Sequence, residues 1–237
     1  MGFFSKFFNA LKSIRMNKEN AVNGTPLDHL LTSSMYAEQQ TAYLNSYETG
    51  LNKSDIKKIV EDAWHIFDKA KAIETLESLL YKNDDENMNV VFMAFNNSSN
   101  YVDILKSKLP NNQEIFDHYL EFYRELKKVV PELIEYKVIN DPAELTHIKD
   151  SGWNIGRAAF LARCFYDLGY LNKVELIEFL DRCYSELKKY CNTWKEYTTS
   201  YILGRAIWGA ANNTGMISIA NDLLSNENSP LKNKTYI

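Results

Sequence analysis

Two arginines, each following a glycine inside a stretch of helical character, are the residues of this chain best suited to chemistry. Trp153-Asn154-Ile155-Gly156-Arg157-Ala158-Ala159-Phe160 returns as Tyr201-Ile202-Leu203-Gly204-Arg205-Ala206-Ile207-Trp208. Both runs read aromatic, any residue, aliphatic, Gly, Arg, Ala, any residue, aromatic. A guanidinium is a planar fork of donors that matches a phosphate or carboxylate through parallel hydrogen bonds. Two forks converging beside Trp and Tyr would hold a phosphate, a carboxylate or a nucleotide. Arg157 and Arg205 are thus the candidate ligand-binding pair, with Trp153, Asn154, Trp194, Tyr201 and Trp208 around them. The same residues admit a structural reading. Buried arginines normally have partners, and these two can cover aromatic faces by cation–π contact or pair with buried acids. Asp62, Asp68, Asp150 and Asp167 are the candidate acids.

Helices must position these side chains. Trp153, Gly156, Arg157, Phe160, Leu161, Cys164 and Leu168 advance by three or four and share one helix face; Trp194, Tyr197, Tyr201, Gly204, Arg205 and Trp208 do the same. Both faces are too apolar for water, so they predict a helix–helix seam. Glycine within a helix costs about 1 kcal/mol relative to alanine, and close approach of the partner helix is the usual compensation. Boundaries follow from local chemistry. A helix over 152–168 ends at Gly169. Asn172 with Glu175, and Thr193 with Glu196, form capping-box patterns that open helices to about Cys191 and Ala211. A last helix spans Met216 to Leu224.

Upstream, helical patterns run from Asp28 to Tyr47, from Ser54 through Trp64, and from Asp68 through Leu80. Val90 to Phe95 is an apolar run that reads as a strand or a buried helical turn, with helix preferred because no second strand is evident. Gln113 to Val130 forms a longer helix, which Pro131 breaks or kinks. With only 9 Gly and 5 Pro, tight-turned β architecture is disfavoured. The expected fold is all-α: a single multi-helix domain over 27–226 with short helix–helix connections. An amphipathic N-terminal helix and linker (1–26) precede it and a polar tail (227–237) follows.

Gly152-Trp153-Asn154-Ile155-Gly156-Arg157 with Arg163, then Leu168-Gly169-Tyr170-Leu171, Thr193-Trp194 and the second phrase through Trp208, resembles a bacterial family, domain of unknown function 1266, which includes the YbeU- and YbeR-like proteins. Ala63-Trp64-His65-Ile66 with Asp68 is similar to that family's tryptophan-x-isoleucine-x-aspartate segment, and the helix near Ser33 to Tyr47 sits where the family has one. The resemblance spans roughly 28–212 and implies a helical fold without implying a reaction. The family usually carries Asp where this chain has Asn154, so no mechanism that needs a carboxylate there transfers.

Other chemistries lack their signatures. A net charge of −4 supplies no basic field, so nucleic acid is not an expected partner. Cys164, Cys183 and Cys191 form no C-x-x-C pair and fit free core thiols in a reducing compartment. His29, His65, His118 and His147 have no second ligand at metal spacing. No P-loop, nucleophile elbow or dinucleotide fingerprint occurs. No catalytic residue, metal or cofactor is therefore expected. At the start, Phe3, Phe4, Phe7, Phe8 and Leu11 line one face beside Lys6, Lys12 and Arg15. Such a segment can lie on an anionic membrane surface or dock on its own domain or a partner. No run of about 18 apolar residues exists for a spanning helix, so the expected location is the cytoplasm, with the inner face of the membrane as a site for residues 3–15. The expected function is non-enzymatic protein binding, as an accessory or immunity-type factor in interbacterial competition. The alternative is an enzyme or sensor that binds an anion through Arg157 and Arg205.

Overall fold

The computed structural model describes residues 14–81, 85–209 and 213–237. The apolar positions Phe3, Phe4, Phe7, Phe8 and Leu11 lie outside the described residues.

One helix is wrapped by the others. It spans Ser151–Asp167 and is labelled α9, counting along the chain. Thirteen of its 17 residues are buried, from Ser151 to Phe165, and a helix apolar all round belongs at the centre of a fold. Four helices pack on it: α2 (Ser34–Gln39), α4 (Lys69–Tyr81), α10 (Lys173–Leu187) and α11 (Trp194–Ile207). Gly169 takes a left-handed φ of 78° just beyond α9, which only glycine adopts without strain. The capping boxes of α10 and α11 form as the sequence predicts: Asn172 and Thr193 accept from backbone N–H groups, while Glu175 and Glu196 reach back.

The remaining helices cover one end. α5 (Glu86–Asn96) contains the apolar run from Val90, with Asp85 as its cap, so that run is helical. It packs on α6 (Tyr101–Lys108) and α7 (Gln113–Glu135). α1 (Thr25–Leu31) lies on α10, and α12 (Asn213–Ser225) lies on α2 and α11. The short elements α3 (Lys53–Lys57), continued as a π-helical segment Lys58–Ala63, and α8 (Leu145–Ile148), with 3-10 turns at Ser98–Asn100 and Pro142–Glu144, complete the described helical elements. No strand occurs among the described residues; Thr193 and Tyr236 make one isolated antiparallel bridge.

Four local expectations change. The helix predicted over 28–47 is two short helices and an irregular loop. Thr32 and Ser33 bond their hydroxyls to the carbonyls of His29 and Leu30 and close α1, the competition with helix that these side chains are prone to. Beyond α2, Thr41 adopts φ 57° and the carbonyls of Tyr43, Ser46, Tyr47 and Glu48 turn toward Arg163 instead of continuing a helix. Second, Pro131 does not end α7, because buried Val129, Val130 and Leu133 keep both sides of the proline on the core. Third, the polar stretch after Met16, expected as a linker, is tied to the 41–50 loop: Asn17 and Asn45 exchange hydrogen bonds and Leu44 N–H donates to the Arg15 carbonyl. Fourth, the polar C-terminal residues are held down. Leu231 is fully buried, and Trp194 and Ile237 donate backbone hydrogen bonds to Thr235 and Asn192.

Candidate functional site

The doubled phrase meets itself across the α9–α11 seam. A Cβ on Gly204 would stand 2.3 Å from Trp153 Cβ, and one on Gly156 would stand 2.9 Å from the Tyr197 hydroxyl and the Tyr201 ring. Both are closer than real side chains approach, so each glycine makes room for the opposite helix. Gly152 does the same, its would-be Cβ lying 2.7 Å from the Tyr197 carbonyl. Ser200 fastens the crossing: its hydroxyl accepts from Gly152 N–H at 2.8 Å and faces the Ile148 and Lys149 carbonyls at 3.1 and 3.0 Å. Small residues four apart, Gly152 with Gly156 and Ser200 with Gly204, are the sequence signal for this contact.

Arg157 lies against this seam, half-buried. Its guanidinium carbon sits 4.3 Å above the Trp153 ring and 5.4 Å from the Trp64 ring. Nη2 donates to Asn154 Oδ1 at 2.7 Å, and Nε reaches the Trp153 carbonyl at 3.4 Å. Among the described residues no carboxylate oxygen comes within ion-pair distance of it. Burial pulls its pKa down to about 10, opposed by Tyr201, Tyr36 and Asp150; the group stays charged at neutral pH. Arg205 is also half-buried, and burial lowers its pKa against the influence of Tyr201.

Tyr201 feels the charge of both arginines. Burial raises its phenol pKa well above the ordinary value, with Tyr197 and Tyr36 adding to the rise and Arg157 and Arg205 opposing it. Its ring makes an edge contact with Trp153 at 5.0 Å. Tyr201 Oη and Trp153 Nε1 are buried and have no hydrogen-bond partner among the described residues. The Arg157 guanidinium, the Trp153 indole N–H and the Tyr201 phenol thus lie together at the seam. Asp150, whose charge acts on Arg157, is buried at the start of α9 and 3.4 Å from Trp208 Nε1. Burial raises the Asp150 pKa, partly offset by Trp208 and Arg157.

Of the other sequence-derived candidates, Trp208 touches the cluster through Asp150 and the rest go elsewhere. Trp194 stands at the opposite end of α11, edge-on to Tyr197. Trp208 closes the α11 end against Phe122 of α7 at 4.8 Å, with 41% of its surface exposed. Asp62 is exposed, and Asp68 is exposed and accepts from Lys71 N–H at the start of α4. Asp167 bonds Thr49 through both its N–H and hydroxyl. Of the four candidate acids, Asp150 alone joins the arginine cluster. Sequence reasoning missed Tyr36 and Trp64 as its outer wall; Trp64 stood in the quoted Ala63–Ile66 segment, with nothing nearby to pair it with Arg157.

The structure also brings together residues outside this cluster. α4 and α10 flank α9 and are bridged by Lys69–Glu175 and by a two-handed Arg182–Glu77 pair, both bonds 2.6 Å. Hollows of about 150 and 390 Å³ lie on either side of the second bridge and share Arg182. Ile73 (41% exposed) and Tyr81 (69%) line these hollows, while exposed Phe67 (64%) precedes α4 and Val174 (64%) lies in the first turn of α10. The three cysteines are buried with their thiol pKa pushed up by burial, so none is poised as a nucleophile. Among the described residues no three His, Cys, Asp or Glu side chains converge as metal ligands, and no helix is long and apolar enough to cross a membrane.

Comparison with curated proteins and with solved structures returned no match. The family model described as "Protein of unknown function (DUF1266)" matches residues 59–235, which takes in α4, the whole α9–α11 seam and the C-terminal residues through Thr235. The chain belongs to the DUF1266 family.

Proposed function

We propose that this protein is a non-enzymatic binding module whose partner is another protein, held on the α4–α10 face. The observation that carries the reading is that two large apolar side chains, Ile73 and Tyr81, are left exposed at the hollows there, with exposed Phe67 and Val174 close by in the chain. Phe67 is joined to the segment before α10 by the Tyr170 hydroxyl, which donates to its carbonyl at 3.0 Å. Ile73 and Tyr81 line the hollows, and Val174 stands one turn before Glu178 on α10. Scattered exposed apolar residues are ordinary, whereas apolar residues collected around a groove with a polar rim mark interaction surfaces. An accessory or immunity-type role in interbacterial competition is the cellular form this binding would take; its support is a single acid-rich face on a helical body.

A photo-crosslinking residue in place of Val174, compared with one in place of exposed Lys127 on α7, tests the reading in native cell extract. A discrete crosslinked species from position 174 and none from position 127 is expected. Equal yields from the two positions would remove the α4–α10 face as the binding surface.

The arginine cluster supports a second reading, an anion held by Arg157 and Arg205. The observation in its favour is that buried Tyr201 Oη and Trp153 Nε1 have no hydrogen-bond partner among the described residues, beside Arg157, which reaches only two acceptors.

A further inference from the structure

Resting on the protein-binding reading, we infer that the occupant of the α4–α10 groove is a basic amphipathic helix supplied by a partner protein. The groove runs along α10, whose 15 residues span about 22 Å at 1.5 Å per residue. Its floor is Leu76, Leu80, Leu171 and Phe179, all buried beneath the rim. An extended peptide gains affinity by pairing its backbone with a free sheet edge, and the described residues contain no strand to offer one. Two helices flanking a pair of hollows, divided by the exposed Arg182–Glu77 bridge, instead match the helix-in-groove mode, in which side chains at i, i+3 or i+4, and i+7 anchor.

Charge chooses the partner's polar face. Glu77, Glu175, Glu178, Asp181 and Glu186 line the two hollows, against Arg182 and Lys189. Four of the acids have one local partner each: Glu77 with Arg182, Glu175 with Lys69, Asp181 with His29, Glu186 with Lys189. Glu178 is exposed and makes no ion pair among the described residues. A carboxylate has about four lone-pair sites, so Glu175 and the half-exposed Asp181 can each accept a further cation without losing the present one, whereas both Glu77 oxygens face Arg182 and the free Glu186 Oε1 is buried. Lysines and arginines flanking an apolar stripe would meet these acids along the groove, whereas a helix edged with carboxylates would be repelled.

The test is a fluorescence anisotropy titration of the full chain with two labelled 16-residue helical peptides. They share one leucine stripe and carry lysines or glutamates on the polar face. Val174→Lys/Glu178→Lys is the groove variant; both residues are exposed, and its melting temperature checks the fold. The basic peptide is expected to bind at least tenfold more tightly than the acidic one, to weaken as salt is raised, and to lose at least tenfold on the variant. Equal binding of both peptides would reduce the site to apolar adhesion and overturn the inference, as would basic binding that the variant leaves unchanged. Binding that emerges only after Phe7→Glu/Phe8→Glu would make this chain's own first residues the occupant. A chain that binds neither peptide and sediments as a dimer dispersed by Val174→Lys would make a second copy the occupant, and binding of neither peptide by a monomer would leave no helix-binding groove. A species crosslinked through position 174 whose attached segment is acidic would retain the protein-binding reading and remove this inference alone.

Discussion

Arg163 and Arg157 stand six residues apart on α9 and have different surroundings. Arg163 is fully buried and surrounded by acceptors: Ser33 Oγ at 2.9 Å and the carbonyls of Tyr43, Ser46, Glu48 and Tyr47 at 2.6, 2.8, 3.1 and 3.4 Å. Burial lowers its pKa to about 10, opposed by Cys164 and Asp167. Arg157 reaches two acceptors, both on its own helix, and rests on two indoles. One guanidinium is consumed in shaping a loop, and the other is braced with hydrogen-bonding capacity left over. A buried arginine is therefore not one kind of evidence; its acceptor set decides whether it builds the fold or remains able to hold something else.

The sharpest way to break the comparison is Arg163→Met. It leaves several buried carbonyls unanswered at once, each a penalty of about 1–3 kcal/mol where water cannot enter. We expect a stability loss of about 3–5 kcal/mol in urea unfolding, with faster proteolysis in the 40–50 loop and in the residues after Ile14 that lean on it. A loss below about 1 kcal/mol would show that the loop holds itself.

A buried carboxylate extends the comparison to the opposite sign. Glu38 on α2 is 3% exposed, and burial together with Asp222 raises its pKa from 4.5 to about 7. Asp222 is itself tied to Asn226 at 2.7 Å. Between these two pKa values the folded protein binds the proton that the unfolded chain has released. Stability therefore falls as pH rises from about 4.5 to 7 and then levels off, with a total loss of up to about 3 kcal/mol. Glu38→Gln should be more stable than the parent by up to that amount at pH 8 and equal to it at pH 4. Parallel stability curves for the two proteins across this range would show that Glu38 is solvated.

How far these sites were legible depends on whether their signals were local. The capping boxes at Asn172 and Thr193, the stop at Gly169 and the α9–α11 seam all follow from spacings within one or two turns. The seam was visible because the phrase occurs twice and glycine in a helix needs a reason. Arg163 was quoted only as part of a motif, since its partners lie more than 110 residues away and all but the Ser33 hydroxyl are backbone carbonyls, which carry no residue code. The same blindness produced the continuous helix over 28–47: apolar spacing there is helical, but a distant guanidinium withdraws the carbonyls. The α4–α10 groove was equally silent, because an apolar residue that faces water has the same letter as one that faces the core.

The smallest expected change in stability discriminates most between the two readings of the arginine cluster. Arg157→Lys keeps a cation near Trp153 and Trp64 but removes the fork. As a brace, Arg157 contributes mainly cation–π contact of about 0.5–2 kcal/mol, and lysine retains part of it, so a loss near 1 kcal/mol is expected, well below that of Arg163→Met. If the cluster also holds an anion, millimolar phosphate or pyrophosphate should raise the melting temperature of the parent, and Arg157→Lys and Arg205→Lys should each abolish that rise, because point cations lack the bidentate match. A parent indifferent to both anions would confine Arg157 to the seam. An anion response retained in both lysine variants would place the binding elsewhere. Either result would leave the contrast with Arg163 standing, since that contrast concerns acceptors already present in the fold.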